Sequence, residues 1–282
     1  MTPPAFVPEL KIVPCGTEER MLPEAAEGPM EVWAGNGIDA YGYTAAGQEW
    51  IHLPGVATFR FHLQPSSVVA IPEAHCSAES VQDAYRRNIL PLVLQMCGTE
   101  VLHASAVTTD HGVLAICGVS GAGKSTLAYC LSQRGYGVFA DDAVALRIDG
   151  GSVSALYVPF WLNLRTDTSL LPEHPRFEKA QEISPESSEV PLSAILVLEA
   201  PEEKDRAPMH LDRLAPSAAF TALLVHAYYY RLSDAERKKQ MVNRYLQLTL
   251  STRVFDARVR HDFEAIPSVL DHIEEHVIGA AG

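Results

Sequence analysis

Positive charge is scarce in this chain relative to negative. Its 22 Lys and Arg stand against 35 Asp and Glu, a formal net charge of -13. A field of that sign repels nucleic-acid backbone and anionic lipid, so neither is expected as a partner. Apolar runs are short, and none approaches the roughly 20 residues that a membrane span requires. Paired cysteines are missing too: Cys15, Cys76, Cys97, Cys117 and Cys130 are scattered without a C-x-x-C. Their odd total suits free thiols in a reducing compartment better than a disulfide framework or a metal cluster. The opening "MTPPAFVPELKIVP" has no basic segment followed by an apolar one, so a signal peptide is not expected and a cytoplasmic address is. What remains is ordinary: 282 residues, 47% hydrophobic and 20% charged, enough to bury one large core or two small ones.

Residues 1 to about 75 read as short extended pieces, "MEVWAG", "ATFRFHL" and "VVAI", separated by turn signals such as "GNGID" and "QPSS". This predicts a small, mainly antiparallel β region over 1–76. From Ser77, an N-cap residue precedes Val81, Ala84, Tyr85, Ile89, Val93 and Met96 at helical spacing, with Gly98 as a stop and Pro91 as a kink or split. "EVLHASAV", the turn "TTDHG" and "VLAICG" then read as two buried strands, followed by a helix through about Arg134 closed by Gly135. "YGVFA" and "DDAVALRI" follow, then a hairpin at "DGG" (149–151) and "SVSALYV". Residues 165–191, rich in Pro, Glu and Ser, predict a long exposed loop, and "LSAILVLEA" a buried strand. Helices are expected at about 216–229, 233–248 and 263–277, the second opened by a Ser233/Glu236 capping box.

The most specific motif joins the second of those buried strands to its helix. Gly118, Gly123, Lys124 and Ser125 complete G-x-x-x-x-G-K-[ST], preceded by an apolar strand and followed by a helical pattern. Glycines let successive N–H groups point at phosphate oxygens, and the helix N-terminus adds its positive end. Lys124 is placed to neutralise β and γ phosphates, and the Ser125 hydroxyl to coordinate Mg²⁺.

Asp141 and Asp142 follow Lys124 by 17 and 18 residues, room for one helix and a return strand. That predicts both carboxylates at the carboxyl end of a strand neighbouring the glycine loop. One can serve a metal and the other accept a proton from an attacking hydroxyl. His103, in "VLHASAV", can reach the same edge if its strand pairs through the "TTDHG" turn.

Taken together, these segments resemble the catalytic domain of bacterial HPr kinase/phosphorylase and its relatives. Members carry a histidine in an "LHG" or "LHA" strand, a short hairpin, a G-x-S-G-x-G-K-S loop, then "RG" and "ADD". Here these read "LHASAV", "GVSGAGKST" and "RGYGVFADD", a match over residues 101 to 146, roughly one sixth of the chain. The resemblance implies an α/β fold, an HPr-kinase-like (PEP-carboxykinase-like) P-loop core sheet with flanking helices, over 77–282. It implies ATP and Mg²⁺ on Gly118, Ser120, Gly121, Ala122, Gly123, Lys124, Ser125 and Thr126. Asp141, oriented by His103, would take the proton, with Asp142 and Ser125 on the metal, and the two aspartates could exchange roles. "DRLAPSAAFTALLVHA" would give Arg213, and "VPFWLNLRTD" Arg165, a phosphate contact.

Thr126 stands where HPr kinases usually have glutamate, and their "RGLG" segment is missing. The pattern is closer to the HPr-kinase-like proteins of peptide-biosynthesis clusters, notably the lasso-peptide kinases, which phosphorylate a serine of a precursor peptide. A peptide or protein serine is therefore the expected acceptor, and a homo-oligomer the expected assembly. A kinase of a small hydroxylated metabolite and a nucleotide-gated ATPase or regulator are the alternatives. Arg237, Lys238, Lys239 and Arg244, with Arg253, Arg258 and Arg260 beyond, are expected as a solvated face or a landing surface for an acidic peptide or phosphate.

Overall fold

The computed structural model describes residues 6–13, 31–35, 38–45, 47–62, 67–159, 188–199, 207–229, 234–260 and 263–281. Arg165, Ser233, Cys15 and most of the 165–191 segment lie outside these described residues. Contacts divide the chain into two compact units, Met1–Thr99 with Tyr229–Lys238, and Glu100–Tyr228 with Lys239–Gly282.

The first unit holds a six-stranded sheet of β1 (Glu9–Ile12), β2 (Glu31–Gly35), β3 (Ile38–Ala45), β4 (Gln48–Leu53), β5 (Ala57–Phe61) and β6 (Ser67–Pro72), in the order β1-β6-β5-β4-β3-β2. Every neighbouring pair is antiparallel except β1 with β6. Strand alternation sets its core: Ala57, Phe59 and Phe61 are buried while Thr58 and Arg60 are half-exposed. Behind it run α1 (Ala78–Ala84) and α2 (Leu90–Met96), with Ser77 capping the first through the Ser80 N–H at 3.1 Å. The Tyr85 ring stacks on Phe59 at 6.2 Å and its hydroxyl donates to the Pro8 carbonyl at 2.8 Å. Pro91 does not split the helix. Its missing N–H is absorbed by a widened π turn over Tyr85–Ile89, in which the Leu90 N–H reaches back to the Tyr85 carbonyl.

The second unit is mixed α/β. Its strands are β7 (Glu100–Leu102), β8 (Ala104–Thr109), β9 (Gly112–Gly118), β10 (Gly137–Ala140), β11 (Val144–Asp149), β12 (Ser152–Leu156), β13 (Glu189–Glu199), β14 (Met209–Arg213) and β15 (Arg253–Val259). The helices are α3 (Lys124–Gln133), α4 (Pro216–Leu224), α5 (Ala235–Ser251) and α6 (Ile266–Ile273). The hairpins expected at "TTDHG" and "DGG" join β8 to β9 and β11 to β12. The helix expected over 216–229 stops earlier, at Leu224.

β13 organises the sheet. Its first residues, Glu189 to Pro191, pair with β12, and from Leu192 on it runs parallel to β9 on one side and β15 on the other. It thus joins the row β10-β8-β9-β13-β15-β14 to the row β13-β12-β11-β7. Because β7 runs into β8 with only His103 between them, the two rows must curl toward each other. Close approach of β13 to β9 also demands glycine at Gly112 (φ 119°), where a Cβ would lie 2.3 Å from the Pro191 carbonyl oxygen.

Residues of β9 alternate between two cores. Val113, Ala115 and Cys117 face Phe139, Ile195 and Tyr245, while Leu114 and Ile116 face Leu131, Leu196 and Ile273. Burial on both faces explains the continuous apolar run, and each fully buried side chain of this size stabilises by roughly 1.5–3 kcal/mol. β10 is antiparallel to β8, and β8 to β9, so β9 and β10 point the same way. Their carboxyl ends therefore share one sheet edge. β8 lies between β9 and the return strand β10, because the hairpin claims that position, and this brings the start of β8 to the same edge. Among the described residues, no helix is long and apolar enough to cross a membrane.

Candidate active site

At the end of β9 the chain needs glycine. A Cβ on Gly118 (φ 155°) would stand 3.0 Å from the Ala122 Cβ and 3.1 Å from the Leu198 carbonyl oxygen. Gly123 adopts the left-handed conformation (φ 94°) that launches α3. Within the loop the Ala122 N–H donates to the Val119 carbonyl at 3.1 Å, and the first helical bond, Leu127 N–H to the Gly123 carbonyl, closes at 2.8 Å. Val119, Ser120 and Gly121 are exposed, whereas Ala122, Ser125 and Thr126 are half-buried. Lys124 is buried, 6% exposed, and its ammonium turns back under the loop to donate to the carbonyls of Gly118 (2.9 Å) and Val119 (3.2 Å). A buried cation beside the open N-terminus of a helix is a setting that favours an anion.

Across the edge, Asp141 is 4% exposed, and its Oδ1 accepts from the hydroxyls of Ser125 (2.8 Å) and Ser105 (2.7 Å). Ser105, on β8, was not anticipated, although its signal was present. A serine in the buried run "ASAV" must find an acceptor, and Asp141, just past the end of neighbouring β10, supplies one.

Asp142 is held through its backbone. It sits at φ 66°, unusual for a residue with a side chain. Its carbonyl accepts from His103 Nδ1 at 3.0 Å and from the Tyr228 hydroxyl at 3.4 Å. The family resemblance implies His103 with Asp141 and Ser125 with Asp142, whereas the hydrogen bonds join His103 to the main chain of Asp142 and Ser125 to the carboxylate of Asp141. His103 itself occupies the bend between β7 and β8, not a strand position. The turn after α4 docks on it: the His103 N–H donates to the His226 carbonyl at 2.7 Å and the Tyr228 N–H to the Val101 carbonyl at 2.9 Å. Nothing local in the sequence marks Tyr228 or His226, since both arrive from more than 120 residues downstream.

The electrostatics follow from burial and from Lys124. His103 is pushed below its ordinary range chiefly by burial and then by the Lys124 charge, against the opposing pull of Asp142. His226 falls to about 4, through burial first and then the charges of His103 and Lys124. Burial pushes the Cys117 thiol up to about 12, so it is inert packing. The Tyr228 phenol is raised by burial and by Asp142, which keeps its hydroxyl a donor.

His226 yields a stability prediction. The unfolded chain protonates this ring near pH 6.5 and the folded chain only near 4, so stability is intact above that window and lost as pH falls through it. The loss amounts to as much as about 3 kcal/mol. Urea titrations at a series of pH values should show stability falling from pH 6.5 to 4, and His226→Asn should flatten that slope. An unchanged slope would place the proton uptake elsewhere.

Of the two expected phosphate contacts, the structure places only Arg213, and it lies away from this edge. Arg213 is exposed on β14, opposite Phe255, which in turn lies beside Leu196 and Ile116. It is therefore three strands from β9, roughly 14 Å at ordinary strand spacing. Arg165 is outside the described residues. Much of the expected basic face is spent internally: Arg237 on the Gln95 carbonyl, Arg244 on buried Glu100, Arg253 on the Val277 and Ala280 carbonyls, and Arg258 on Asp212.

No family model and no curated protein matches the chain. Among solved structures, it is similar to the HPr(Ser) kinase/phosphatase from Coxiella burnetii at 13% identity and a TM-score of 0.37, over 64% of this chain and 99% of that one.

Proposed function

We propose that this protein is an ATP-dependent kinase that transfers the γ-phosphate to a serine hydroxyl of a peptide or protein, in the manner of a precursor-peptide kinase. The observation that carries this reading is the convergence on one sheet edge of a buried lysine under a glycine loop, a Ser125–Asp141–Ser105 hydrogen-bonded set, and a second aspartate beside a histidine. Loop amides from Gly118 to Thr126 and the Lys124 ammonium would receive the phosphates, the lysine exchanging its backbone carbonyls for phosphate oxygens.

The residues fit Mg²⁺. Among the described residues no cluster of three or more His, Cys, Asp or Glu could hold a metal by itself. Mg²⁺, however, typically takes one or two protein oxygens and completes its shell with phosphate and water. Ser125 and Asp141 are such a pair, and there the ion would neutralise charge on the transferred group.

Because Asp141 already engages Ser125, we assign it to the metal and Asp142 to the acceptor, the exchanged form of the two roles. As the acceptor oxygen bonds to the γ-phosphorus and the bond to the β-phosphate oxygen breaks, the hydroxyl proton passes to the Asp142 carboxylate and then to solvent. Most of the rate gain would come from positioning and fixed charge. ATP is the nucleotide favoured here, and no N-K-x-D element is present in the sequence to read a guanine base.

The test is incubation of the pure protein with γ-labelled ATP, Mg²⁺ and peptides encoded next to its gene. Label on a peptide serine supports the proposal. Label on a small hydroxylated metabolite, or phosphate release alone, would replace it with the metabolite kinase or the nucleotide-gated ATPase.

A further inference from the structure

We propose that Tyr228 is a positioning residue for the acceptor end of this site, holding Asp142 and His103 from the turn that follows α4. The inference rests on the kinase reading for its consequence in catalysis, and on hydrogen-bond geometry for everything else. Asp142 keeps a left-handed backbone, a conformation uncommon for any residue with a Cβ and one that its surroundings help to hold. Two donors on its carbonyl supply that constraint, His103 Nδ1 at 3.0 Å and the Tyr228 hydroxyl at 3.4 Å.

A carbonyl oxygen can only accept. His103 must therefore carry its proton on Nδ1, which leaves the lone pair on Nε2. The Tyr228 hydroxyl stands 3.5 Å from the same Nδ1, and the two rings meet edge to face at 6.1 Å. The three residues are also tied through the main chain. The bonds from Tyr228 N–H to Val101 and from His103 N–H to His226, with the antiparallel bridge between Leu102 and Ala227, fasten the turn to the segment carrying His103. Tyr228, His103 and the Asp142 peptide thus form one assembly, and the phenol is a contact with Asp142 made from the α4 side. None of these bonds reaches the 118–126 loop, so the assembly can set the placement of the acceptor-side carboxylate without setting nucleotide affinity.

The experiment uses the full chain and Tyr228→Phe, which keeps the ring and removes only the hydroxyl. Nuclear magnetic resonance on ¹⁵N-histidine and ¹³C-carbonyl-labelled protein, with His103 assigned by His103→Gln, reads the geometry without any enzymatic activity. The expected result is a neutral, Nδ1-protonated His103 in the native protein and an upfield shift of the Asp142 carbonyl in Tyr228→Phe. Finding the proton on Nε2, or the Asp142 carbonyl unmoved, would overturn the proposal.

In the γ-labelled assay, kcat should fall about tenfold in Tyr228→Phe while the KM for ATP stays within about twofold, the size expected for one misplaced contact near the chemistry. Combination with His103→Gln should add little further loss, because both act on one carbonyl. Equal changes in KM and kcat, or fully additive losses, would assign Tyr228 to general stability. If the native protein transfers no label at all, the kinase reading fails, and the resonance measurements still decide whether Tyr228 holds Asp142.

Discussion

Lys124→Ala should lower phosphoryl transfer by about three orders of magnitude, the range found when a fixed cation or donor is removed from a developing phosphoryl charge. Lys124 is 6% exposed, and its ammonium lies between the carbonyls of Gly118 and Val119 at 2.9 and 3.2 Å. It is a compact charge in a pocket shaped for one, so Lys124→Arg should not restore activity: a planar guanidinium needs more room and a forked set of acceptors. The charge also bears on the resting site, because Lys124 contributes to the lowering of both His103 and His226. Removing it should raise the pKa of each histidine, a shift visible by histidine resonance titration even without substrate. Binding of a non-hydrolysable ATP analogue, measured by calorimetry, should weaken in parallel. Wild-type transfer in Lys124→Ala, with the fold intact by circular dichroism, would remove the glycine loop from the proposed mechanism.

The parts of this structure that were legible beforehand depend on neighbours in the chain. The "TTDHG" and "DGG" turns, the Ser77 cap, the Gly135 stop and the strand-to-helix glycine loop are short-range signals, and each folds locally as its residues dictate. Even the presence of the aspartates at the loop's edge could be counted out from one helix and one return strand. What the spacing left open was which strand lies between β9 and β10, and therefore which side chain would meet Asp141. Ser105 enters the site because β8 occupies that slot.

Other features were set by partners far along the chain. The double pairing of β13 depends on where its first residues meet β12, and no periodicity within "EVPLSAILVLE" encodes that. Pro91 carried a clear local warning, yet the helix passes it by widening one turn earlier, at a cost that the burial of Tyr85, Ile89 and Leu90 offsets. The exchange of partners between the two aspartates has the same origin. Successive residues at a strand end point in different directions, and the left-handed turn at Asp142 decides which of them faces Ser125.

That division of labour sets the last expectation. Asp141→Asn preserves an oxygen able to accept from both Ser105 and Ser125, so the hydrogen-bonded set, and with it most of the stability, should survive. What disappears is the negative charge. Transfer should fall by about two to four orders of magnitude, and the Mg²⁺ concentration needed for half-maximal rate should rise, since a neutral amide is a poor partner for a hard divalent ion. Asp142→Asn should also lower turnover by about two to four orders of magnitude, the span typical of a lost general base, while leaving the Mg²⁺ requirement where it was. A Mg²⁺ titration of initial rates for both variants separates the assignments. If the dependence shifts in Asp142→Asn and not in Asp141→Asn, the metal belongs to Asp142 as the sequence first suggested. If Asp141→Asn transfers label at the native rate, this sheet edge does not carry out the chemistry.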